Sequence, residues 1–221
     1  PALAVYVLAA RADMYRWQGE QARALDLLGQ ARQLTGKKGL EFEGRGILPV
    51  AEGITVAENG NMDAGLALLT EGVNFLERRR AKRELARARF LLSKAYLLDD
   101  NKPQAVAELR AAMNLAEEIG TYQFAAVEGQ HAENLLELGT AQGVPASHDI
   151  VDRVRQLRDL GRELVHGDAE EEEATGHLEI YALGEGRVVR DGRPVSPSEW
   201  QAAMAKEMFF YVLMHGPAER D

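Results

Sequence analysis

The feature that most constrains this chain is an internal repeat with a period of 40 or 41 residues. The clearest copy has small residues at Ser93, Ala105 and Ala112, with larger ones at Tyr96 and Leu109. Two earlier copies of the pattern are Ala12, Tyr15, Ala24, Leu28, Ala31 and Gly53, Val56, Gly65, Leu69, Gly72. Self-similarity at a period of about 20–50 residues is typical of stacked supersecondary units. The chain is therefore predicted to be a stack of repeats rather than a globular enzyme core.

The spacing within each copy is helical, and a turn such as Asp99–Pro103 divides it, so each repeat predicts two antiparallel helices. Small side chains would let the two helices approach closely, and Tyr15 or Tyr96 would be buried beyond them. A half-preserved fourth copy begins at Ala132. Pro49 is expected to kink the third helix. The predicted helices, about eight, span residues 2–18, 20–35, 40–58, 62–79, 82–98, 103–120, 121–138 and 149–165.

This pattern resembles the tetratricopeptide repeat, which has a small residue three before Tyr in its first helix and Ala-x-x-x-Phe-x-x-Ala in its second. Here leucine occupies the aromatic position, the closing proline is absent, and the period exceeds the usual value of about 34 residues. Longer repeats of this kind resemble the sensor region of MalT-like bacterial transcription regulators. The resemblance implies an α-α superhelix over residues 1–165.

The composition changes after residue 165. Residues 166–176 contain the run Glu170–Glu173, in which four carboxylates repel one another, so this stretch is predicted to be an acidic linker. Beyond it, apolar residues alternate at Leu178 and Ile180, as in a strand, and Asp191–Gly192 is a strong signal for a two-residue β-hairpin. An amphipathic helix is predicted from about Ala202 to His215.

The order of these elements over residues 177–221 resembles the start of an OmpR/PhoB-type winged helix, as found in the bacterial SARP family of transcriptional activators. The resemblance implies a parent protein that binds DNA. In that family the DNA-reading helix and the wing come later, and the chain stops at Asp221 without an initiator Met, so it is expected to be a fragment. DNA binding is accordingly expected through the missing part, with only weak phosphate contacts from Arg187, Arg190 and Arg193.

Charge and composition exclude several classes of function. The chain has 35 acidic and 26 basic residues, and its formal charge of −9 opposes nonspecific attraction to nucleic acid or to an anionic membrane. The longest apolar run, Leu3–Ala10, is far shorter than the roughly 20 residues that span a bilayer. The absence of cysteine excludes disulfides and thiolate chemistry and suits a reducing compartment, so a cytoplasmic location without membrane partners is expected.

No arrangement of residues predicts catalysis. The five histidines show no pairing with a carboxylate that indicates a zinc site. The run of glutamates does not supply the unequal environments that paired catalytic carboxylates need. The chain is therefore expected not to be an enzyme and to hold no metal or cofactor.

Stacked helical hairpins instead offer a groove lined by the first helix of each repeat. The tetratricopeptide resemblance implies a set of groove-facing residues that combines aromatic anchors with charges of both signs, a mixture that suits a peptide, a protein or a small polar effector. Self-association is a further candidate use of this surface. The set is Tyr6, Asp13, Arg16 and Trp17 in repeat one, Ile54 and Glu58 in repeat two, Arg87, Phe90 and Lys94 in repeat three, and Glu133 in repeat four.

Two functions from different classes follow. The first is a regulatory and sensor module that binds an effector or partner protein and relays this event to a DNA-binding winged helix. The second is a free-standing scaffold that assembles proteins and has no role at DNA. Sequence flanking the chain would discriminate them, because the first function requires a continuation into a basic recognition helix and a wing.

Overall fold

The computed structural model describes residues 2–36, 39–166, 178–181, 187–196 and 200. Over these residues the protein is mainly α-helical and has a small three-stranded antiparallel sheet, which confirms the predicted fold class. The chain divides into two units, residues 1–165 and 166–221. Apart from His166, the predicted linker 166–176 lies outside the described residues, as does the predicted helix 202–215. In the described parts of the chain, no helix has both the length and the apolar character needed to cross a bilayer.

The helices of the first unit pack in consecutive pairs, α1 with α2, α3 with α4 and α5 with α6. We refer to α1, α3, α5 and α7 as the first helices of repeats one to four. A π-helical segment, Glu43–Ile47, precedes α3. The helices are α1 Ala2–Trp17, α2 Gln21–Thr35, α3 Leu48–Glu58, α4 Met62–Arg78, α5 Lys82–Leu98, α6 Lys102–Ile119, α7 Gln123–Gly129, α8 Glu133–Ala141 and α9 Ser147–His166.

The repeated small residues lie where the two helices of a repeat meet. In repeat two, a Cβ atom added to Gly53 would lie 2.8 Å from the Gly65 carbonyl oxygen, closer than side chains approach, so glycine is required there. In repeat three, the Ser93 hydroxyl donates a hydrogen bond to the Ala105 carbonyl across 2.5 Å. We call this contact the intra-repeat seam. Its close helix approach agrees with the prediction from residue size.

The repeat extends to the conformation of the turns. Between the paired helices, Gly19, Gly60 and Asp100 all have positive φ, at 80°, 92° and 55°. The residue after each of these donates its backbone amide to the carbonyl of the residue five positions before it. The amide of Asn101, for example, donates to the Tyr96 carbonyl at 2.8 Å. This is a helix-ending hydrogen bond of the Schellman type. A second set of left-handed residues joins successive repeats, at Gly39, Arg80 and Gly120.

The third predicted helix changes its hydrogen-bond pattern just before Pro49. Proline has no amide hydrogen, so the helix cannot form the bond from residue 49 to the carbonyl of residue 45. The backbone widens to a π-helical turn over Glu43–Ile47, and the amide of Leu48 donates to the Glu43 carbonyl. An α-helix resumes from Leu48, with Pro49 in its first turn, where a missing amide hydrogen costs little.

The buried apolar side chains form three clusters along the stack, in keeping with repeats that pack mainly against their neighbours. Leu28, Leu69 and Leu109 occupy the same position in successive repeats, and all three are buried. Tyr15 and Tyr96 pack against the clusters but are only partly buried, which corrects the expectation that both would be buried.

The fourth repeat departs from the prediction. A single helix over residues 121–138 was expected, but α7 ends at Gly129 and α8 begins at Glu133. Gly129 packs closely against α8, because a Cβ there would lie 2.7 Å from a methyl group of Leu136. The break therefore converts one long predicted helix into a short helical pair. Helix α9 then covers the end of the stack by packing Ile150 and Val154 into the last cluster.

The second unit contains strands β1 Leu178–Tyr181, β2 Arg187–Arg190 and β3 Arg193–Pro194. They form an antiparallel sheet in the order β1-β2-β3. The turn between β2 and β3 is the predicted pair Asp191–Gly192, with φ of 54° and 74°. Positive φ at both residues is the conformation that two-residue hairpins favour.

Candidate functional site

Charged side chains from all four first helices meet on one side of the stack. We call this set the ionic cluster, and it has three cations and three carboxylates. Its members come from α1, α3, α5 and α7, and so from repeats that are far apart in sequence. The residues are Asp13, Arg16, Glu58, Arg87, Lys94 and Glu128.

Arg16 is the centre of the ionic cluster. Its Nη2 donates to Glu128 Oε2 at 2.9 Å and to Asp13 Oδ1 at 3.2 Å, while its Nη1 donates to Glu58 Oε1 at 3.0 Å. The bond to Glu128 joins residues 112 positions apart in the sequence. Planar guanidinium groups suit such multiple contacts with carboxylates because their donors have a fixed geometry.

Arg87 contacts two of the same carboxylates from the other side. Its Nη2 lies 2.5 Å from Asp13 Oδ2 and 2.6 Å from Glu128 Oε1, and its Nε donates to Glu128 Oε1 at 3.0 Å. Asp13 and Glu128 thus each accept hydrogen bonds from both arginines. The resulting ring of two arginines and two carboxylates ties α1, α5 and α7 together.

The centre of the ionic cluster is removed from water, with the side chains of Arg16 and Glu128 only 0% and 1% exposed. Burial raises the pKa of Glu128, but the charges of Arg87 and Arg16 outweigh it and lower this pKa to about 2. Burial by itself would lower the pKa of Arg16, but the charges of Glu128, Asp13 and Glu58 outweigh burial and raise this pKa above its ordinary value. Both side chains therefore stay charged at neutral pH.

The edge of the ionic cluster is formed by Glu58 and Lys94. Lys94 Nζ donates to Glu58 Oε1 at 2.6 Å, and the same oxygen accepts the bond from Arg16. Within the described residues, Glu58 Oε2 accepts no hydrogen bond. Glu58 therefore keeps one free acceptor beside an otherwise paired group of charges.

A pocket of about 550 Å³ opens next to Glu58 and Lys94. Residues from the last turns of α1, α3 and α5 line it, together with His131 and the first residues of α2 and α4, Gln21 and Met62. Its apolar wall includes Trp17 and Leu98. The volume is within the range of about 300–1,000 Å³ that is usual for small-molecule sites.

Trp17 and His131 form a stacked pair at one side of this pocket, with ring centroids 5.1 Å apart and planes inclined by 5°. The indole Nε1 of Trp17 also donates to Glu128 Oε2 at 3.3 Å, which fixes the ring against the ionic cluster. Burial and the charges of Lys94 and Arg16 lower the pKa of His131. The imidazole is therefore neutral at pH 7.

The structure brings together six of the ten predicted groove residues, namely Asp13, Arg16, Trp17, Glu58, Arg87 and Lys94. Tyr6 lies nearer the N-terminus of α1, and 39% of its surface is exposed. Burial and the charges of Glu43 and Glu84 raise the pKa of the Tyr6 hydroxyl.

Phe90, Ile54 and Glu133 do not occupy the positions expected of them. Phe90 and Ile54 are fully buried in the apolar core, and the Phe90 ring meets Phe124 edge to face at 6.0 Å. Neither side chain can contact a ligand in a groove. Glu133 belongs to α8 rather than to a first helix, because the predicted helix breaks before it, and it accepts hydrogen bonds from two arginines of α9.

The site residues that the sequence did not indicate include Glu128 in the ionic cluster, and His131, Met62 and Leu98 in the pocket. Glu128 follows Arg87 by 41 residues, which is the repeat offset, so the two occupy equivalent positions in adjacent repeats. Extending that offset from Arg87 would have identified Glu128. The half-preserved fourth copy begins at Ala132, which lies at the N-terminus of α8. An alignment through Ala132 therefore assigns the fourth groove position to Glu133 instead of Glu128.

In the second unit, the three predicted phosphate-contacting arginines lie on neighbouring strands. Arg187 stacks on the ring of Tyr181, with its guanidinium carbon 4.5 Å from the centroid. Arg190 is directly opposite Arg193 in the β2–β3 register, and all three arginines are exposed. Exposed arginines therefore lie on both β2 and β3.

Within the part of the chain that the structure describes, no group of three or more His, Asp or Glu side chains is placed to hold a metal ion. One pairing was overlooked in the sequence. His148 Nε2 lies 3.6 Å from Asp152 one helical turn later, and both side chains are largely exposed. Two exposed groups without a third do not form the closed ligand sets typical of structural metal sites.

No model of a known protein family matches this chain, and no curated protein matches it either. A functional assignment therefore depends on the sequence pattern and on the geometry of the pocket and ionic cluster.

Proposed function

We propose that the first unit is the sensor and protein-interaction module of a bacterial transcriptional regulator, that it is not an enzyme, and that it acts in the cytoplasm. In this proposal an effector or partner binds at the pocket, and the event is relayed to a C-terminal DNA-binding winged helix. The observation that carries the proposal is the construction of the pocket from the ends of three first helices, directly beside the ionic cluster.

A pocket built in this way is suited to sensing. A ligand there would contact residues of three successive repeats at once, among them Trp17, Glu58 and Leu98. Repeats in a stack are held mainly by contacts with their neighbours, so a ligand that bridges several of them favours one relative arrangement of the helices. The ionic cluster extends this linkage to α7 through Glu128. Binding can thus change how the repeats pack.

The proposed link to DNA is supported by the second unit. Its strands and the two-residue turn at Asp191–Gly192 follow the order that begins an OmpR/PhoB-type winged helix. The exposed arginines of β2 and β3 suit weak phosphate contacts, and specific readout requires an element that enters a groove. In the proposal, that element belongs to the continuation of the winged helix.

The test uses the full-length protein encoded by the natural gene, tagged and expressed in its own cells. Chromatin immunoprecipitation measures its occupancy of the genome, and RNA sequencing measures transcription of the adjacent genes. We expect discrete occupied sites. We also expect Leu98→Glu, which alters the pocket wall, to change the transcription of those genes.

Leu3→Glu is the matched control, because Leu3 is also an exposed leucine on a first helix but does not line the pocket. Both variants should keep the far-ultraviolet circular dichroism of the native protein. Absence of DNA occupancy would contradict the regulator and favour the protein-assembly scaffold. Equal transcription in the two variants would reject the pocket as the sensing site.

A further inference from the structure

We infer that the pocket binds an organic cation, namely an ammonium group carried on an apolar body about the size of one ring. This inference rests on the proposed function in one respect, that the pocket is a ligand site, and it adds the chemical class of the ligand. Three features of the described residues carry it: the charge balance, a free acceptor and the apolar wall.

The charge balance favours a positive ligand. The three cations of the ionic cluster face three carboxylates, and neutral His131 adds no charge, so the cluster beside the pocket has no net charge. The ends of the helices therefore decide the sign. The last turns of α1, α3 and α5 bring three C-terminal ends to the pocket, each with a partial negative charge of roughly half an elementary charge, whereas the first residues of α2 and α4, Gln21 and Met62, bring two N-terminal ends of opposite sign. The negative ends are in the majority.

The free acceptor is Glu58 Oε2. Arg16 and Lys94 both donate to Oε1 of this carboxylate, which leaves Oε2 without a donor among the described residues. The side chain is 13% exposed and lines the pocket. An ammonium group of a ligand can donate to Oε2 without breaking either internal bond. Such a charge-assisted bond is stronger than one between neutral groups.

The apolar wall indicates that the rest of the ligand, away from its ammonium group, is apolar. Trp17, Met62 and Leu98 line the pocket, and Leu98 is 50% exposed in the absence of a ligand. Covering these side chains with an apolar body removes their surface from water, which favours binding. A ligand with a ring next to its ammonium group would satisfy both the wall and Glu58.

An anionic ligand fits these features less well. The guanidinium of Arg16 is fully buried and is paired with three carboxylates, so it offers no exposed donor. Lys94 is engaged with Glu58, and a carboxylate that approached it would also meet Glu58 and the negative helix ends. Competition between ligands of opposite charge therefore tests the inference directly.

The experiment titrates the complete 221-residue chain with three compounds of similar size: 2-phenylethylamine, 2-phenylethanol and 3-phenylpropionate. Binding is followed by NMR through the indole N–H of Trp17, assigned by its loss in Trp17→Phe. We expect the ammonium compound to bind about tenfold more tightly than the alcohol, a ratio that corresponds to one charge-assisted contact, and the carboxylate to bind most weakly.

Glu58→Gln keeps the size and the acceptor oxygen of the side chain but removes its charge, and should reduce the affinity for 2-phenylethylamine about tenfold. Glu52→Gln is the matched control. Glu52 is on the same helix, is also 13% exposed and is also paired with an arginine, but it does not line the pocket. Unaltered circular dichroism in both variants establishes that the fold is intact.

Equal loss of affinity in the two variants, tighter binding of the carboxylate or the alcohol, or no binding of the amine would each overturn the inference. If Glu58→Gln does not fold, the order of the three compounds on the native chain decides the matter alone. Failure of the regulator proposal is separate, because that proposal is judged by DNA occupancy and transcription, whereas these titrations measure the pocket itself.

Discussion

The intra-repeat seam uses the same kind of residue every 40 or 41 positions, whereas the ionic cluster uses a different residue from each repeat. Gly53, Gly65 and Ala105 are all small residues, since each lies where two helices approach closely. In the ionic cluster, Arg87 and Glu128 occupy equivalent positions in adjacent repeats and have opposite charges. One contact is periodic, and the other is not.

The physical reason lies in what each contact requires. Close packing of two helices depends on side-chain volume, so every repeat can use the same solution. A buried charge requires a partner of opposite sign, so equivalent residues of neighbouring repeats cannot all be the same. The seam therefore builds each repeat, while the ionic cluster distinguishes the repeats and fixes which of them meet.

The largest effect is expected for Glu128→Ala. It removes one of the two carboxylates that both arginines share and leaves the fully buried Arg16 short of a partner, which should lower the free energy of unfolding by about 3–5 kcal/mol. Urea denaturation followed by circular dichroism measures this change. Glu118→Ala is the control, because its pair with Lys82 is more than half exposed, and about 1 kcal/mol or less is expected. Equal losses in the two variants would mean that burial does not distinguish the ionic cluster from surface pairs.

A second effect concerns pH. The folded pKa of Glu128 is about 2, below its ordinary value of 4.5, so its contribution is complete above pH 4.5 and disappears as the pH falls through the folded pKa. This single carboxyl should account for about 3 kcal/mol of stability between those two values.

The measurement compares urea denaturation of the native chain and of Glu128→Gln across this pH range. The native chain should lose more stability on acidification than the variant, because the variant has no carboxyl to protonate at this position. Parallel pH profiles would indicate that the pKa of Glu128 in the folded protein is not lowered to about 2.

A smaller effect is expected at the seam. Ala105→Leu inserts three carbons where α5 and α6 are in contact and should cost roughly 1–3 kcal/mol through overpacking. Ala107→Leu, on the exposed side of the same helix, should change stability by less than about 0.5 kcal/mol. Denaturation curves of the two variants provide the comparison, and similar curves would show that residue size at the seam is not what sets the helix distance.

Much of the first unit could be predicted from sequence because its regularity is local. The positions of Ala24, Gly65 and Ala105 indicated where paired helices touch. The predicted helix ends agree with the structure to within a residue or two through α6, except that α3 begins at Leu48, after the π-helical turn, rather than at residue 40. Prediction failed in the fourth repeat, where the pattern is weak. There, the packing of Gly129 against Leu136 breaks the expected helix, and helical periodicity carries no signal for such a contact.

The site was recovered in part for the same reason. A resemblance that assigns residues to a groove by helical position correctly gathered Asp13, Arg16 and Arg87 on one side. It could not separate that side from the core at Phe90, since both faces of α5 are largely buried. It also gave no indication that the charges would be paired with each other.

The sequence by itself determined the repeat, its period, the paired helices and the hairpin at Asp191–Gly192, because these follow from residue size, helical spacing and backbone preference over short stretches. Only the tertiary structure decided that Arg16 of the first repeat would meet Glu128 of the fourth, 112 residues later. That contact depends on how far successive repeats rotate and how tightly the stack closes. The rotation and the closure are each the sum of small angles at every interface between repeats. No single stretch of the sequence encodes that sum.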